Sequence, residues 1–172
     1  MSRDIGFDLV DEVVDGFRTE RPDLDPRAIE TACRMIYSGR VAQAHAERIL
    51  KRHGLNYTDL DVLGNLRRSG SPFAMSPAAL LRQAMITSGS MTSCLDRLEQ
   101  AKLVIREIRQ DDRRGRIVRL TDEGRALIDE ALTSRFGSAA RAAASLTTSE
   151  IDALNALMRK FADALNREPS QD

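Results

Sequence analysis

The sequence lacks tryptophan and has only two cysteines, Cys33 and Cys94. These stand alone, without the paired spacing of a zinc site, and two isolated thiols fit a reducing compartment better than a disulfide scaffold. No apolar run approaches the roughly 20 residues of a membrane span, and the first residues lack the pattern of a secretory signal. These absences argue against a membrane protein and a disulfide-rich secreted domain, and we expect a cytoplasmic location.

Residues that could form a catalytic centre are also sparse. His45 and His53 are the only histidines, and no carboxylate or thiol constellation stands beside them in sequence. The chain has neither a glycine-rich phosphate loop nor a paired-cysteine metal motif. We therefore expect a protein that is not an enzyme and that uses no cofactor or metal.

The formal net charge is +0, but the charges are unevenly distributed. Segment 75–121 has nine basic and five acidic residues, so it carries +4 and the remainder carries −4. A basic module on an acidic body is the electrostatic pattern of a DNA-binding protein, although a solvated charged face would give the same count. A length of 172 residues with 42% hydrophobic content suits one globular domain over 1–172.

Helical periodicity and helix-capping residues dominate the pattern. Asp25, Thr58, Ser76 and Thr121 are each placed to cap a helix, and Thr147 and Glu150 have the spacing of a capping box. The expected helices cover 8–17, 26–53, 59–68, 77–84, 87–101, 122–145 and 147–167. The pattern predicts a mainly α fold with a small β wing. A helical dimerisation region would comprise 8–53 and 122–167, and a DNA-binding module 58–121.

The stretch 87–121 is the most informative part of the chain. Met91, Leu95 and Leu98 share one face of a short helix, whose other side is small and polar. Two β-branched-rich runs then flank a polar loop that contains arginines, as in a hairpin. A small polar helix followed by an arginine-tipped hairpin outlines a winged helix-turn-helix, whose second helix lies in the DNA major groove.

Several fragments of this stretch, in order, resemble the MarR family of bacterial transcriptional regulators. They are Ser90-Met91-Thr92, Leu95-Asp96-Arg97-Leu98-Glu99, Leu103-Val104, Asp112-Arg113-Arg114 and Leu120-Thr121-Asp122-Glu123-Gly124. The resemblance spans nearly the whole chain and implies a ligand-responsive regulator, most often a repressor. Its outer helices would interlock two chains into a homodimer that binds a near-palindromic double-stranded DNA operator.

Hydroxyl and arginine side chains are the expected DNA contacts. In the recognition helix, Arg97 is the strongest candidate for a guanine or phosphate, with Asp96 as a neighbour that holds it. In the wing, arginines would reach the minor groove or its phosphates, while solvation is an equal alternative for Arg116 and Arg119. The predicted DNA-binding set is Ser88, Ser90, Thr92, Ser93, Arg97, Arg113, Arg114 and Arg116.

A finer resemblance is to the urate-responsive branch of the family, which has an added N-terminal helix. It places four ligand-binding positions at Phe17, Asp61, Cys94 and Arg106, expected to line one cavity. Phe17 replaces a tryptophan and Cys94 replaces an arginine of that branch. Because an anion loses bidentate recognition without that arginine, we expect a small acidic aromatic effector other than urate.

Three alternatives stay open from the sequence. Asp61 and Arg106 could form a buried salt bridge that ties the wing to the body. Cys94 could be an apolar filler or a redox-sensing thiol whose pKa is lowered by Arg97 and Arg106. Finally, the winged helix could be a protein-interaction module that has lost DNA binding.

Overall fold

The computed structural model describes residues 9–84, 87–108 and 116–167, which form seven helices and three strands. The helices are α1 (Leu9–Glu20), α2 (Pro26–Lys51), α3 (Tyr57–Arg68), α4 (Pro77–Gln83), α5 (Ser88–Gln100), α6 (Asp122–Ala143) and α7 (Thr148–Arg167). The strands are β1 (Ala74–Met75), β2 (Val104–Ile108) and β3 (Arg116–Leu120). The predicted fold class, mainly α with a small β wing, is confirmed.

Side-chain caps explain where most helices begin. Asp25 accepts the N–H of Arg27, and Ser76 accepts that of Ala79, as predicted. The predicted start of α3 is wrong, because Asn56 caps this helix instead of Thr58. Asn56 Oδ1 accepts the N–H of Asp59 at 2.9 Å, and Asp59 Oδ2 accepts the N–H of Asn56 at 2.9 Å. This reciprocal box satisfies two otherwise unpaired N–H groups and starts α3 two residues earlier.

The three strands form an antiparallel sheet in the order β1-β3-β2. The predicted hairpin is confirmed, with Val104 opposite Leu120 and Ile108 opposite Arg116. Strand β1 was not predicted, because two residues are too few to show the alternation of a strand. It pairs Ala74 with Arg119 and so fastens the segment between α3 and α4 to the wing.

The hydrophobic core lies where α3, α5, α6 and the sheet meet. Its largest fully buried side chains include Leu63, Leu66, Leu98, Val118 and Ile128. Helix α2 adds Leu50 from its C-terminal half. This core fixes the orientation of α5 relative to the wing.

Gly124 shows why the Leu120–Gly124 motif has its spacing. A Cβ at Gly124 would lie 2.0 Å from the carbonyl oxygen of Leu103, so only glycine lets α6 approach the junction of α5 and β2. Thr121 Oγ1 accepts the N–H of Gly124 at 2.9 Å and donates to the carbonyl of Lys102 at 2.7 Å. The motif therefore joins the recognition helix and the wing to α6.

The outer helices α1, α2 and α7 carry most of the exposed apolar side chains. Helix α1 packs on α2 through Val10 and Val14, whereas α7 has no buried residue. None of the described helices is long and apolar enough to span a membrane.

Candidate nucleic-acid interface

The recognition helix α5 has one buried face and one exposed polar face, as predicted. Met91, Cys94, Leu95 and Leu98 are buried. The predicted DNA contacts of this helix are all exposed: Ser88, Ser90, Thr92, Ser93 and Arg97. Short hydroxyl side chains let the backbone of a helix come close to a groove. The exposed face therefore has the size and chemistry for docking against DNA.

Arg97 is held by a different acid from the one expected. Its Nη2 donates to Oδ1 of Asp59 at the start of α3, and this hydrogen bond raises the pKa of Arg97. The expectation that Asp96 holds Arg97 is wrong, because adjacent residues on a helix do not face each other. Asp96 instead pairs with Arg106 of β2.

Arg106 ties the first wing strand to the recognition helix. Its Nη2 pairs with Asp96, and its backbone N–H donates to Glu99 Oε1 at 3.2 Å. Its buried Nε lies 3.3 Å from Glu99 Oε2, close enough for an ion pair but without hydrogen-bond geometry. The alternative of a salt bridge between Asp61 and Arg106 is therefore not supported, because Arg106 pairs with Asp96 and Glu99 of α5.

In the wing, Arg119 of β3 contacts both strand β2 and the segment between α3 and α4. Its Nη2 lies 2.9 Å from Glu107 Oε2, which raises the pKa of Arg119 and lowers that of Glu107. Its Nη1 donates to the carbonyl of Pro72 at 3.3 Å. Arg116, in contrast, is exposed and has no ion pair within the described residues. Arg113 and Arg114 lie outside the described residues.

Sequence reasoning missed Arg82, on the last turn of α4. It is exposed, and no ion pair or hydrogen bond engages it in the part of the chain that the structure describes. The signal was available, because no acid lies three or four residues away from Arg82 on either side. Arg82 thus joins Arg116 as an arginine whose guanidinium is available to a phosphate.

In the part of the chain that the structure describes, three of the four predicted ligand-binding residues line three different cavities. Phe17 lines a cavity of about 610 Å³ between α1, the start of α2 and the end of α7. Asp61 lines one of about 800 Å³ between α3 and α6, and Cys94 lines one of about 400 Å³ between the start of α3 and α5. Arg106 lines none of these three. These three cavities therefore do not support the prediction of one shared cavity.

Cys94 is packed as an apolar residue and not as a reactive thiol. Its side chain is 1% exposed, and its Sγ lies 3.4 Å from Asp59 Oδ1. Burial and the Asp59 carboxylate raise the pKa of Cys94 to about 12, and the opposing effect of Arg97 is smaller. Because the thiolate is the reactive form, burial and the raised pKa favour the apolar-filler interpretation of Cys94 over the redox-sensing one.

Comparisons with known proteins agree with this geometry. Residues 53–115 match the model of the MarR family. The chain is 36% identical to the HTH-type transcriptional regulator PecS of Dickeya dadantii, over 70% of this chain and 72% of PecS. It is 31% identical to the HTH-type transcriptional regulator YkoM of Bacillus subtilis, over 67% of this chain and 73% of YkoM.

Solved structures with the same fold include complexes with DNA. One of them is Sco3205, a MarR family transcriptional regulator from Streptomyces coelicolor, in complex with DNA. The similarity has a TM-score of 0.73 at 25% identity and covers 86% of this chain and 92% of Sco3205.

Proposed function

We propose a mechanism whose premise is that this chain belongs to the MarR family of transcriptional regulators and is a DNA-binding protein of the winged helix-turn-helix class. Two chains form a homodimer that binds a near-palindromic operator and represses transcription in the cytoplasm. A small acidic aromatic effector releases the DNA. The observation that carries the proposal is the exposed polar face of α5, which is backed by a packed core. Arg82 and Arg116 add exposed guanidinium groups that have no ion pair within the described residues.

DNA contacts divide between the recognition helix and the wing. Ser88, Ser90, Thr92, Ser93 and Arg97 face base edges and phosphates in the major groove. Arg113, Arg114 and Arg116 of the wing bind the minor groove or its phosphates. To this predicted set we add Arg82, as a phosphate contact from α4. Phosphate contacts supply affinity and register, and base contacts supply specificity.

The dimer is proposed to form through segments 8–53 and 122–167. Helix α7 places Leu154, Leu157, Met158 and Leu165 at the surface, where they form one apolar stripe. An apolar stripe of this kind needs a partner surface. Two-fold pairing would present two recognition helices to successive major grooves, about 34 Å apart.

The cavity between α3 and α6 is the best candidate for the effector. Its lining combines apolar Leu60 and Leu132 with Asp61 and Arg135. Arg135 is half-buried and forms no ion pair within the described residues, so its guanidinium is available to a carboxylate. Of the four residues predicted from the resemblance, this site keeps Asp61. Phe17, Cys94 and Arg106 are not assigned to it.

Such a ligand would act between the two parts of the molecule. Helix α3 belongs to the DNA-binding module and α6 runs from the wing into the dimerisation region. A ligand between them can release DNA only through a higher affinity for the arrangement that does not fit the operator.

A salt titration tests the DNA-binding part of this proposal. The probe is a labelled duplex containing a near-palindrome from upstream of the chain's own coding region. Fluorescence anisotropy should show tight binding, and the logarithm of the association constant should fall linearly with the logarithm of the salt concentration. Arg114→Ala should weaken binding to all sequences and lower the salt slope by roughly 0.9. Equal affinity of wild type and Arg114→Ala at every salt concentration would remove the wing from the interface. No salt-dependent binding at all would favour the protein-interaction alternative.

A further inference from the structure

One buried carboxylate, that of Asp59, connects the start of α3 to the recognition helix. Its Oδ2 accepts the N–H of Asn56 at 2.9 Å. Its Oδ1 accepts a hydrogen bond from Arg97 Nη2 and lies 3.4 Å from the Cys94 thiol. Cys94 and Arg97 are one helical turn apart on α5. A single acid thus holds two side chains of the helix that faces DNA.

The two partners of this ion pair differ in their exposure. The side chain of Asp59 is 4% exposed, whereas that of Arg97 is 48% exposed. A guanidinium has five N–H donors, and only Nη2 is engaged by another described residue. The remaining donors of Arg97 are therefore free for an external partner.

Helix capping alone does not explain an acid at this position. An uncharged asparagine could accept the same N–H of Asn56, whereas burying a carboxylate carries a desolvation cost that ion pairing only partly offsets. Besides its favourable interaction with the N-terminal end of α3, the charge gives Arg97 a fixed direction. A reading side chain that is already oriented by a supporting residue loses less conformational entropy on binding.

We propose that Asp59 is a positioning residue for DNA recognition, which orients Arg97 toward a base and limits its attraction to phosphates elsewhere. This inference rests on the proposed function, in which Arg97 contacts the operator. The negative charge behind Arg97 offsets its long-range attraction to any DNA. Directional hydrogen bonds to the correct base are retained. Asp59 therefore increases the preference for operator over random sequence.

Asp59→Asn tests this, since it keeps the shape and the capping acceptor but removes the charge. Affinity for random-sequence duplex should rise, with a salt slope steeper by roughly 0.9, because Arg97 becomes free to bind a phosphate. The preference for operator over random duplex should fall by roughly 5- to 150-fold, the range for one good base contact. A purely structural role would lower both affinities together.

Asp122→Asn is the matched control. It makes the same change in charge on a side chain that is 98% exposed and whose one ion-pair partner among the described residues is Arg125, at 3.9 Å. It should leave the preference for operator unchanged. Arg97→Ala should lose as much preference as Asp59→Asn, and the double variant should lose no more than either single variant.

Arg97→Lys gives a second route if Asp59→Asn does not fold. Lysine keeps the positive charge but lacks the planar fork, so the preference for operator should fall while the salt slope stays the same. The inference is overturned if Asp59→Asn, or Arg97→Lys in its place, keeps the wild-type preference. It is also overturned if both affinities fall in parallel with the melting temperature. Failure of wild type to bind any duplex would instead overturn the proposed function, and this inference with it.

Discussion

The winged module and the outer helices differ in how much of their apolar surface is buried within one chain. In the module, α3, α5 and the sheet bury their apolar side chains against one another and against α2 and α6 of the same chain. Helix α7 buries none of its residues, and Leu157 on its stripe is 65% exposed. The module is thus complete in one chain, whereas the outer helices leave apolar surface that a second chain can cover. This difference agrees with the proposed division, in which the module reads DNA and the outer helices assemble two chains.

The same contrast appears in how the arginines of the module are used. Arg97, Arg106 and Arg119 are each paired with an acid, so they join elements of the module in addition to contributing positive charge. Arg82 and Arg116 have no such pair in the described part of the chain. The excess of +4 in segment 75–121 therefore does not translate directly into the number of phosphate contacts.

The largest expected effect comes from disrupting the outer helices alone. Leu157→Glu places a charge on the apolar stripe of α7, so dimerisation should be lost while the module stays folded. Affinity for the full operator should fall by roughly 10²- to 10⁴-fold, as expected when two linked modules become one. Light scattering and anisotropy measure the two effects.

Ala156→Glu is the control for that change, because it adds the same charge at an exposed position on the side of α7 opposite the stripe. It should leave both the molecular mass in solution and the affinity for the operator at their wild-type values. A Leu157→Glu protein that remains dimeric would remove α7 from the interface.

A second test disrupts the module at its tightest contact. Gly124→Ala would put a Cβ against the Leu103 carbonyl, so α6 or the wing must shift. Overpacking of this kind costs roughly 1–3 kcal/mol or more of unfolding free energy. Gly137→Ala, on the same helix, meets only the Arg141 guanidinium at 3.5 Å and should be neutral or stabilising. Urea unfolding compares them, and equal midpoints would show that the close approach is absent.

A smaller effect is expected at the cap that joins wing and body. Thr121→Ala removes the acceptor for the N–H of Gly124 and the donor to the carbonyl of Lys102. The unfolding free energy should fall by about 1 kcal/mol. Thr121→Ser retains the hydroxyl and should recover most of this loss in the same urea titration. If serine is no better than alanine, the hydroxyl bonds are not responsible.

The smallest effect is expected at Cys94. Its pKa is raised from near 9 to about 12, so the neutral thiol is favoured in the folded state. Its contribution to stability is present below about pH 9 and is lost as pH rises toward 12.

Alkylation of native protein should modify half-buried Cys33 before Cys94, as mass spectrometry can follow. Peroxide should affect operator binding equally in wild type and Cys94→Ala. A peroxide response that disappears in Cys94→Ala would restore the redox alternative.

Local features of the chain could be predicted from the sequence. The face of α5 marked by Met91, Leu95 and Leu98, the hairpin and the caps at Ser76 and Thr121 all depend on nearby residues. The capping box of Asn56 and Asp59 is equally local, although the sequence-based prediction assigns this cap to Thr58.

Contacts between distant segments could not be predicted. Asp59 and Arg97 are 38 residues apart, and their pairing depends on how α3 packs against α5. The same holds for Arg119, whose guanidinium reaches Pro72 across 47 residues. The placement of Phe17 and Asp61 in different cavities could not be predicted either, because they lie on elements whose relative placement periodicity does not determine.

The number of chains on one operator duplex tests the division between module and outer helices most directly. Sedimentation equilibrium of wild-type protein with a labelled duplex gives this number, and scrambling one half-site shows whether both halves are read. We predict two chains per duplex and a loss of roughly 10²-fold or more in affinity when one half-site is scrambled. One chain per duplex, with equal affinity for the intact and half-scrambled operators, would contradict the account.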